Sequence, residues 1–366
     1  MCRMEFAESR RATLGVEWEL ALVDPASGDL VGRAAELVSA IDDPRVVGEF
    51  LTNTIELVTS VHDRVADATE ELRQLRQAVV RAADPLGVAA IGVGTHPFAD
   101  WHVQTVVPDE RYLRVIDRAK QWGRQLAIWG VHVHVGLPST DYVADVIGAA
   151  LADYPLFLAL SASSPFWEGQ DTGFVSHRTM LFQQLPTGGL PPSFRDWAEI
   201  ERKTEGLINA GVIVDERELR WDVRPSSRFG TVEIRIADSM STISEIGAVT
   251  ALAQCVAEEA MRAVDNGWPA RRLPDWAVQE NKFRAARYGL NTQFIIDAEG
   301  AVQNGREVLA RRIDELQPIA RDLDCEAKLI SALAIGNDTN AERQRALMRS
   351  SGRHGLIDAM RADFLR

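Results

Sequence analysis

Glu17 and Glu19 stand one residue apart in the stretch Thr13–Leu22, TLGVEWELAL. In an extended chain both point to the same face, because side chains alternate with period two. Leu14, Val16, Trp18, Leu20 and Leu22 then line the other face and need a core beneath them. Alone, such a strand reads as a solvated outer face, since Glu is mostly exposed. The design recurs, however. In Glu49–Thr59, Glu56 lies opposite Ile55 and Leu57, with Glu49 just upstream. In Trp129–Leu137, His132 and His134 share a face against Val131, Val133 and Val135. In Arg217–Arg224, Glu218, Arg220, Asp222 and Arg224 alternate with Leu219, Trp221 and Val223. In Thr231–Asp238, Glu233 and Arg235 alternate with Val232, Ile234 and Ile236.

These side chains suit one kind of chemistry. Carboxylates bind hard divalent cations such as Mg2+ or Mn2+, and an imidazole can join them. Arginine forks match phosphate oxygens. Metal ions bridging phosphate oxygens, with arginine nearby to take developing charge, are the parts of phosphoryl transfer. The chain has no P-loop or kinase motif, so a nucleotide would lie on the sheet itself. The competing reading is a set of surface ion pairs, each worth little.

The elements that must position these groups follow from the pattern. Some six strands have one apolar and one charged face. An antiparallel sheet with helices on its apolar face would gather the charged groups on the other. The fold class expected is therefore α+β, with a curved, mainly antiparallel sheet. Arg217–Arg224 and Thr231–Asp238 read as a β-hairpin around a turn at Pro225–Gly230. Helices are expected at Ala34–Ile41, Arg64–Asp84, Arg195–Asn209, Ser244–Asn266, Gln279–Tyr288, Glu307–Asp322 and Asn340–Leu365. Thr140–Ser164 reads as an apolar helix broken near Pro155. Asp171–Ser193 reads as a long loop able to close over a site. No repeat or linker divides the chain, so residues 1–366 read as one catalytic domain, with 1–12 a loose lead-in.

Composition narrows the partners. The chain has 366 residues, 46% hydrophobic and 25% charged, with a net charge of −13. That charge argues against nucleic acid or an anionic membrane as partner and leaves room for a locally basic pocket. Cys2, Cys255 and Cys325 show no metal or redox spacing and fit a reducing cytoplasm. The N-terminus lacks the apolar segment of a secretory signal. A cytoplasmic location is expected, and a homodimer is the expected oligomer.

The ordered set of motifs resembles a known family. GVEWEL at Gly15–Leu20, Glu49 and Glu56 with NTIE, GVHVHVG at Gly130–Gly136, RWDVRP at Arg220–Pro225 and VEIR at Val232–Arg235 occur together with LFQQLPTGGLP and QENKFRAARYG. They are similar to the YbdK-type carboxylate–amine ligases, also called the glutamate–cysteine ligase type 2 family. The resemblance implies a glutamine synthetase-like fold and an ATP-dependent reaction. A carboxylate, the γ-carboxylate of L-glutamate, would be phosphorylated and then attacked by an amine, nominally L-cysteine. It implies Glu17, Glu19, Glu49, Glu56, His132 and Glu233 as ligands of Mg2+ or Mn2+, with His132 and His134 both in reach. His134, Arg224, Arg228 and Arg235 would contact phosphates, Arg235 and Glu56 would act on the reacting groups, and Arg178, Lys282 and Arg287 would bind substrate. Two other readings stand beside it: a metal–nucleotide binder without efficient chemistry, and a guanidino or amine phosphotransferase.

Overall fold

The computed structural model describes residues 4–366. The alternating stretches form strands β1 (Leu14–Val23), β2 (Val46–Gly48), β3 (Thr54–Val58), β4 (Ala89–Ile91), β5 (Gly130–Gly136), β6 (Val223–Ser226) and β7 (Thr231–Asp238). They make one antiparallel sheet in the order β2-β3-β1-β5-β7-β6, with β4 on the last residues of β1. Register decides which side chains meet. Glu17 lies opposite His132, Glu19 opposite Glu56, and Glu233 opposite both His134 and Arg224.

The apolar face carries the core. Helices α1 (Val65–Ala83), α2 (Val143–Ala152), α3 (Tyr154–Ser161) and α4 (Ile243–Asp265) are among those covering it, with α4 packed on α1, α2 and β5. Leu14, Val16, Trp18, Leu20 and Leu22 are all buried. Each contributes on the order of 1.5–3 kcal/mol by leaving water. The Trp18 indole N–H donates to the Met240 carbonyl at 3.1 Å, just before α4, so the strand and the helix entry are tied by a satisfied polar contact. Thr242 and Glu245 close a capping box at the start of α4.

Several local expectations change. The break expected near Pro155 falls at Asp153, between α2 and α3. Asp153 is 1% exposed and takes a fork from the equally buried Arg312, at 3.0 and 2.7 Å. The strand expected from Arg217 begins only at Val223. Glu216–Glu218 is a 3-10 turn, and Asp222 points inward with Leu219 and Trp221. A helix at Glu326–Asn337 had no distinct signal in the alternation of its neighbours. Residues 4–12 are docked rather than loose. The Ala7 N–H donates to the Ser227 carbonyl, the Phe6 ring meets Trp197 edge-on, and Arg11 pairs with Glu258 and Asp265. Cys2 lies outside the described residues. Cys255 and Cys325 are buried thiols. Among the described residues no single helix is long and apolar enough to cross a membrane.

Removing Asp153 takes away the one fully buried carboxylate paired with Arg312 and leaves that buried charge to the part-exposed Glu259 and Glu315. Asp153→Ala should lower unfolding free energy by about 3–5 kcal/mol in a urea titration. A loss within about 0.5 kcal/mol would show that Glu259 and Glu315, also paired to Arg312, neutralise it unaided.

Candidate active site

The charged face of the sheet forms the wall of a cavity of about 380 Å³. β1 supplies Glu17 and Glu19, β3 Glu56, β5 His132, β6 Arg224 and β7 Arg235, and the approach to β3 supplies Glu49. The far wall comes from Tyr112, Arg178, Phe182 and Arg220. Strand phase therefore brings together nearly every residue that the alternation put on this face.

Two ligand sets share one histidine. Glu17, His132 and Glu233 present donor atoms within 4.8 Å of one another, and so do Glu19, Glu56 and His132. His132 Nδ1 meets Glu17 at 2.8 Å, while its buried Nε2 has no hydrogen-bond partner. A buried ring nitrogen without a partner is costly unless something occupies it. Four carboxylates, two in each set, and an imidazole lone pair form a donor set that fits Mg2+ or Mn2+. Glu49 lies within the cavity wall and accepts a hydrogen bond from the Tyr112 hydroxyl at 3.1 Å.

The protonation pattern follows from these contacts. Burial pushes Glu19 up to about 7, helped by Glu49 and opposed by Arg178 and Arg235. Burial also raises Glu56, with Glu17, Glu49 and Glu19 adding to it. Burial opposes ionisation of Glu17 as well, yet hydrogen bonds from His132 and His134 hold it below the usual carboxylate range. Glu233 is held low against burial by Arg224 and Arg235. Arg224 Nε donates to it at 2.7 Å, and Arg235 pairs with its other oxygen. The two histidines diverge. Burial and the Arg235 charge hold His132 near 4, whereas Glu233 and Glu17 raise His134 against its burial.

A second, more apolar cavity of about 190 Å³ opens beyond Glu17. Leu14, Val16, Val58, Val61, His134 and Phe229 line it. The carboxylate row thus separates a polar, arginine-rich cavity from an apolar one with an aromatic ring.

Some expected residues lie elsewhere. Arg228 is exposed on the turn before β7, stacked 5.3 Å from the Phe229 ring, and lines neither cavity. Arg287 is tied to the Gly173 carbonyl and stacks on Phe174, away from the polar cavity. Lys282 is buried and pairs with Asp222 at 2.8 Å, so its charge is already neutralised. Arg178 does reach the cavity. It is 4% exposed, and its Nε has no hydrogen-bond partner. It rides on a helix, His177–Phe182, inside the segment expected to be a loop, capped by the Ser176 side chain. That cap was readable as a Ser before a short apolar run. Arg220 is where alternation on the charged face put it, Phe182 falls within the LFQQLPTGGLP motif, and Tyr112 had no signal that tied it to the site.

Comparisons with known proteins give the family and the fold. The model of the family described as "Glutamate-cysteine ligase family 2(GCS2)" matches residues 13–361. "Putative glutamate--cysteine ligase 2" of Leifsonia xyli subsp. xyli is 44% identical over 359 residues, covering 96% of this chain and 95% of that protein. The protein of the same name from Micrococcus luteus is 46% identical over 352 residues, covering 93% and 88%. Among solved structures, glutamate–cysteine ligase of Francisella tularensis in complex with AMP superposes with a TM-score of 0.68 at 14% identity, over 98% of this chain and 90% of that one. A bifunctional glutathione synthetase from Pasteurella multocida gives the same TM-score and identity over 96% of this chain and 52% of its own. At that identity the two structures speak for the fold. With the family model spanning nearly the whole chain and relatives above 40% identity, this protein belongs to glutamate–cysteine ligase family 2, the ATP-dependent carboxylate–amine ligases of glutamine synthetase-like fold.

Proposed function

We propose that this ligase phosphorylates the γ-carboxylate of L-glutamate with ATP and a divalent cation, and condenses the product with an amine, nominally L-cysteine. The observation that carries the reading is the pair of ligand sets sharing His132, set between an apolar cavity and an arginine-lined one. Glu17, His132 and Glu233 would hold one ion, and Glu19 and Glu56 with the shared His132, and Glu49 beside them, another. When bound, such ions neutralise phosphate oxygens and polarise the transferring group.

The chain's own residues do the rest. The apolar cavity with Phe229 receives the base of the nucleotide, and the Glu17 edge receives its phosphates. His134, raised in pKa beside Glu233, offers a donor to phosphate oxygen from the same strand face. Arg224 and Arg235 are held in place by Glu233 and present guanidinium N–H groups to the charge that develops in transfer. The glutamate substrate lies in the polar cavity, its non-reacting carboxylate against Arg178 and Arg220. A carboxylate is a poor electrophile, and the acyl phosphate supplies the leaving group that the amine displaces. Phe182 and Leu185, from the segment after Arg178, wall this cavity and limit water around that intermediate.

Three outcomes test the assignment. Glu17→Gln and Glu56→Gln should each lower ADP release from Mg·ATP and L-glutamate by about 100-fold or more, with unchanged circular dichroism. Activity within about two-fold of wild type in both would overturn the metal assignment. Phosphate release that requires both L-glutamate and one member of an amine panel would name the second substrate. Phe229→Ala should raise the KM for ATP several-fold and leave that for L-glutamate unchanged; the reverse would exchange the two cavities.

A fourth outcome concerns pH. Glu19 is raised from 4.5 to about 7 in the folded chain, so the folded state holds a proton that the unfolded state has lost. Between these values, stability of the metal-free protein must fall as pH rises. The shift corresponds to at most about 3 kcal/mol. Glu19→Gln should therefore stabilise the metal-free protein at about pH 8 and weaken the stabilisation produced by added Mn2+. A variant that melts like wild type with and without Mn2+ would remove Glu19 from the ion site.

A further inference from the structure

Asp238, the last residue of β7, has no place in the ligand sets, yet it is fully buried beside the polar cavity. A register shift puts it there. Between Val131 and Val133 the partner strand carries one extra residue, so Val131 faces Ala237 and Val133 faces Ile234. A bulge of this kind resets the alternation. Ile236 and Ala237 both join the core, and Asp238 pairs with Gly130 on the face that carries His132.

Its carboxylate is held by three neutral donors. Ser163 N–H reaches Oδ2 at 2.9 Å, the Ser164 hydroxyl reaches the same oxygen at 2.6 Å, and the Ser176 hydroxyl reaches Oδ1 at 2.8 Å. Two of these serines grip the helix that bears Arg178. Ser176 caps its first turn, and Ser164 Oγ accepts the Arg178 backbone N–H at 3.1 Å. Two glycines make room. A Cβ on Gly94 would stand 2.6 Å from the Asp238 carboxyl carbon, and one on Gly130 would stand 2.2 Å from Arg178 Nη2.

We propose that Asp238 is a positioning residue of the acid-substrate site: through Ser164 and Ser176 it fixes the short helix that aims the Arg178 guanidinium into the polar cavity. A bulky side chain at Gly94 or Gly130 would break the same arrangement from outside. The inference rests on the reading of Arg178 as the group that meets the non-reacting carboxylate of the acid.

The test compares Asp238→Asn, Ser176→Ala, Arg178→Ala and the Asp238→Asn/Arg178→Ala double variant. Asp238→Asn should raise the KM for L-glutamate roughly ten-fold and leave the KM for ATP within about two-fold. The double variant should be no worse than Arg178→Ala alone, because both act through one guanidinium. Additive losses, or equal rises in both KM values, would make Asp238 a general stability residue and overturn the proposal. An Arg178→Ala enzyme with unchanged KM for L-glutamate overturns the Arg178 reading and this inference with it, whereas an impaired Arg178→Ala beside a normal Asp238→Asn overturns this inference alone. Hydrogen exchange needs no turnover. In Asp238→Asn the amides of residues 177–182 should exchange roughly ten-fold faster while those of β1 do not change, and equal protection would sink the idea. Should Asp238→Asn fail to fold, Ser176→Ala carries the same expectations.

Discussion

Two carboxylates face each other across a sheet: Glu19 on β1 lies opposite Glu56 on β3, on the buried side of a cavity wall. Like charges directly opposite destabilise a strand pair. Here burial compounds the repulsion and pushes both groups toward their neutral forms. No rearrangement within the sheet relieves it, because a slip of one residue would turn Trp18 and Leu20 out of the core. The polar face must therefore gather cations. Arg178, Arg224 and Arg235 converge on it from three separate segments, and the orphaned nitrogen of His132 leaves a place for one more. The site's chemistry is the residue of a conflict that the fold itself enforces.

The core makes that conflict affordable. The apolar face of every long strand is closed by helices, and the largest buried side chains, Trp18 and Trp129 among them, find partners for their indole N–H groups. Rigid strands hold the carboxylates where side-chain relaxation on loops would let them drift apart. This is the usual exchange of local stability for a preorganised site.

Strand phase was legible in the sequence because both faces of each strand obey period two, and Glu17, Glu19, Glu56, His132 and Glu233 fell where alternation put them. What alternation missed has physical causes. The extra residue in β7 restarts the phase, so Asp238 reaches the polar face although its sequence position leaves it out of step with Arg235. Asp222 lies before β6 begins, and Lys282 and Tyr154 draw its carboxylate inward. The helix of Arg178 is six residues long and owes its place to a buried carboxylate that holds its capping Ser176 and, from another segment, Ser164. Arg228 and Arg287 show the opposite limit. The family resemblance implied ligands, but their nearest aromatic rings and carbonyls hold them outside the polar cavity.

His132 and His134 illustrate how far sequence carries and where geometry must take over. They share a strand, a face and a burial class, so alternation treats them alike. Their partners do not. Arg235 faces the His132 ring at 3.5 Å and disfavours a second positive charge there, leaving a neutral imidazole with a free Nε2 between two sets of carboxylates. His134 sits one pair further along, where Thr231 takes Nδ1 at 2.9 Å and Glu17 and Glu233 both favour its cation. A neutral ring with an open lone pair suits a metal; a ring whose cation is favoured by neighbouring carboxylates suits a phosphate. One strand thus presents an acceptor and a donor two residues apart, and the difference arises from which charged neighbour the antiparallel register places beside each ring.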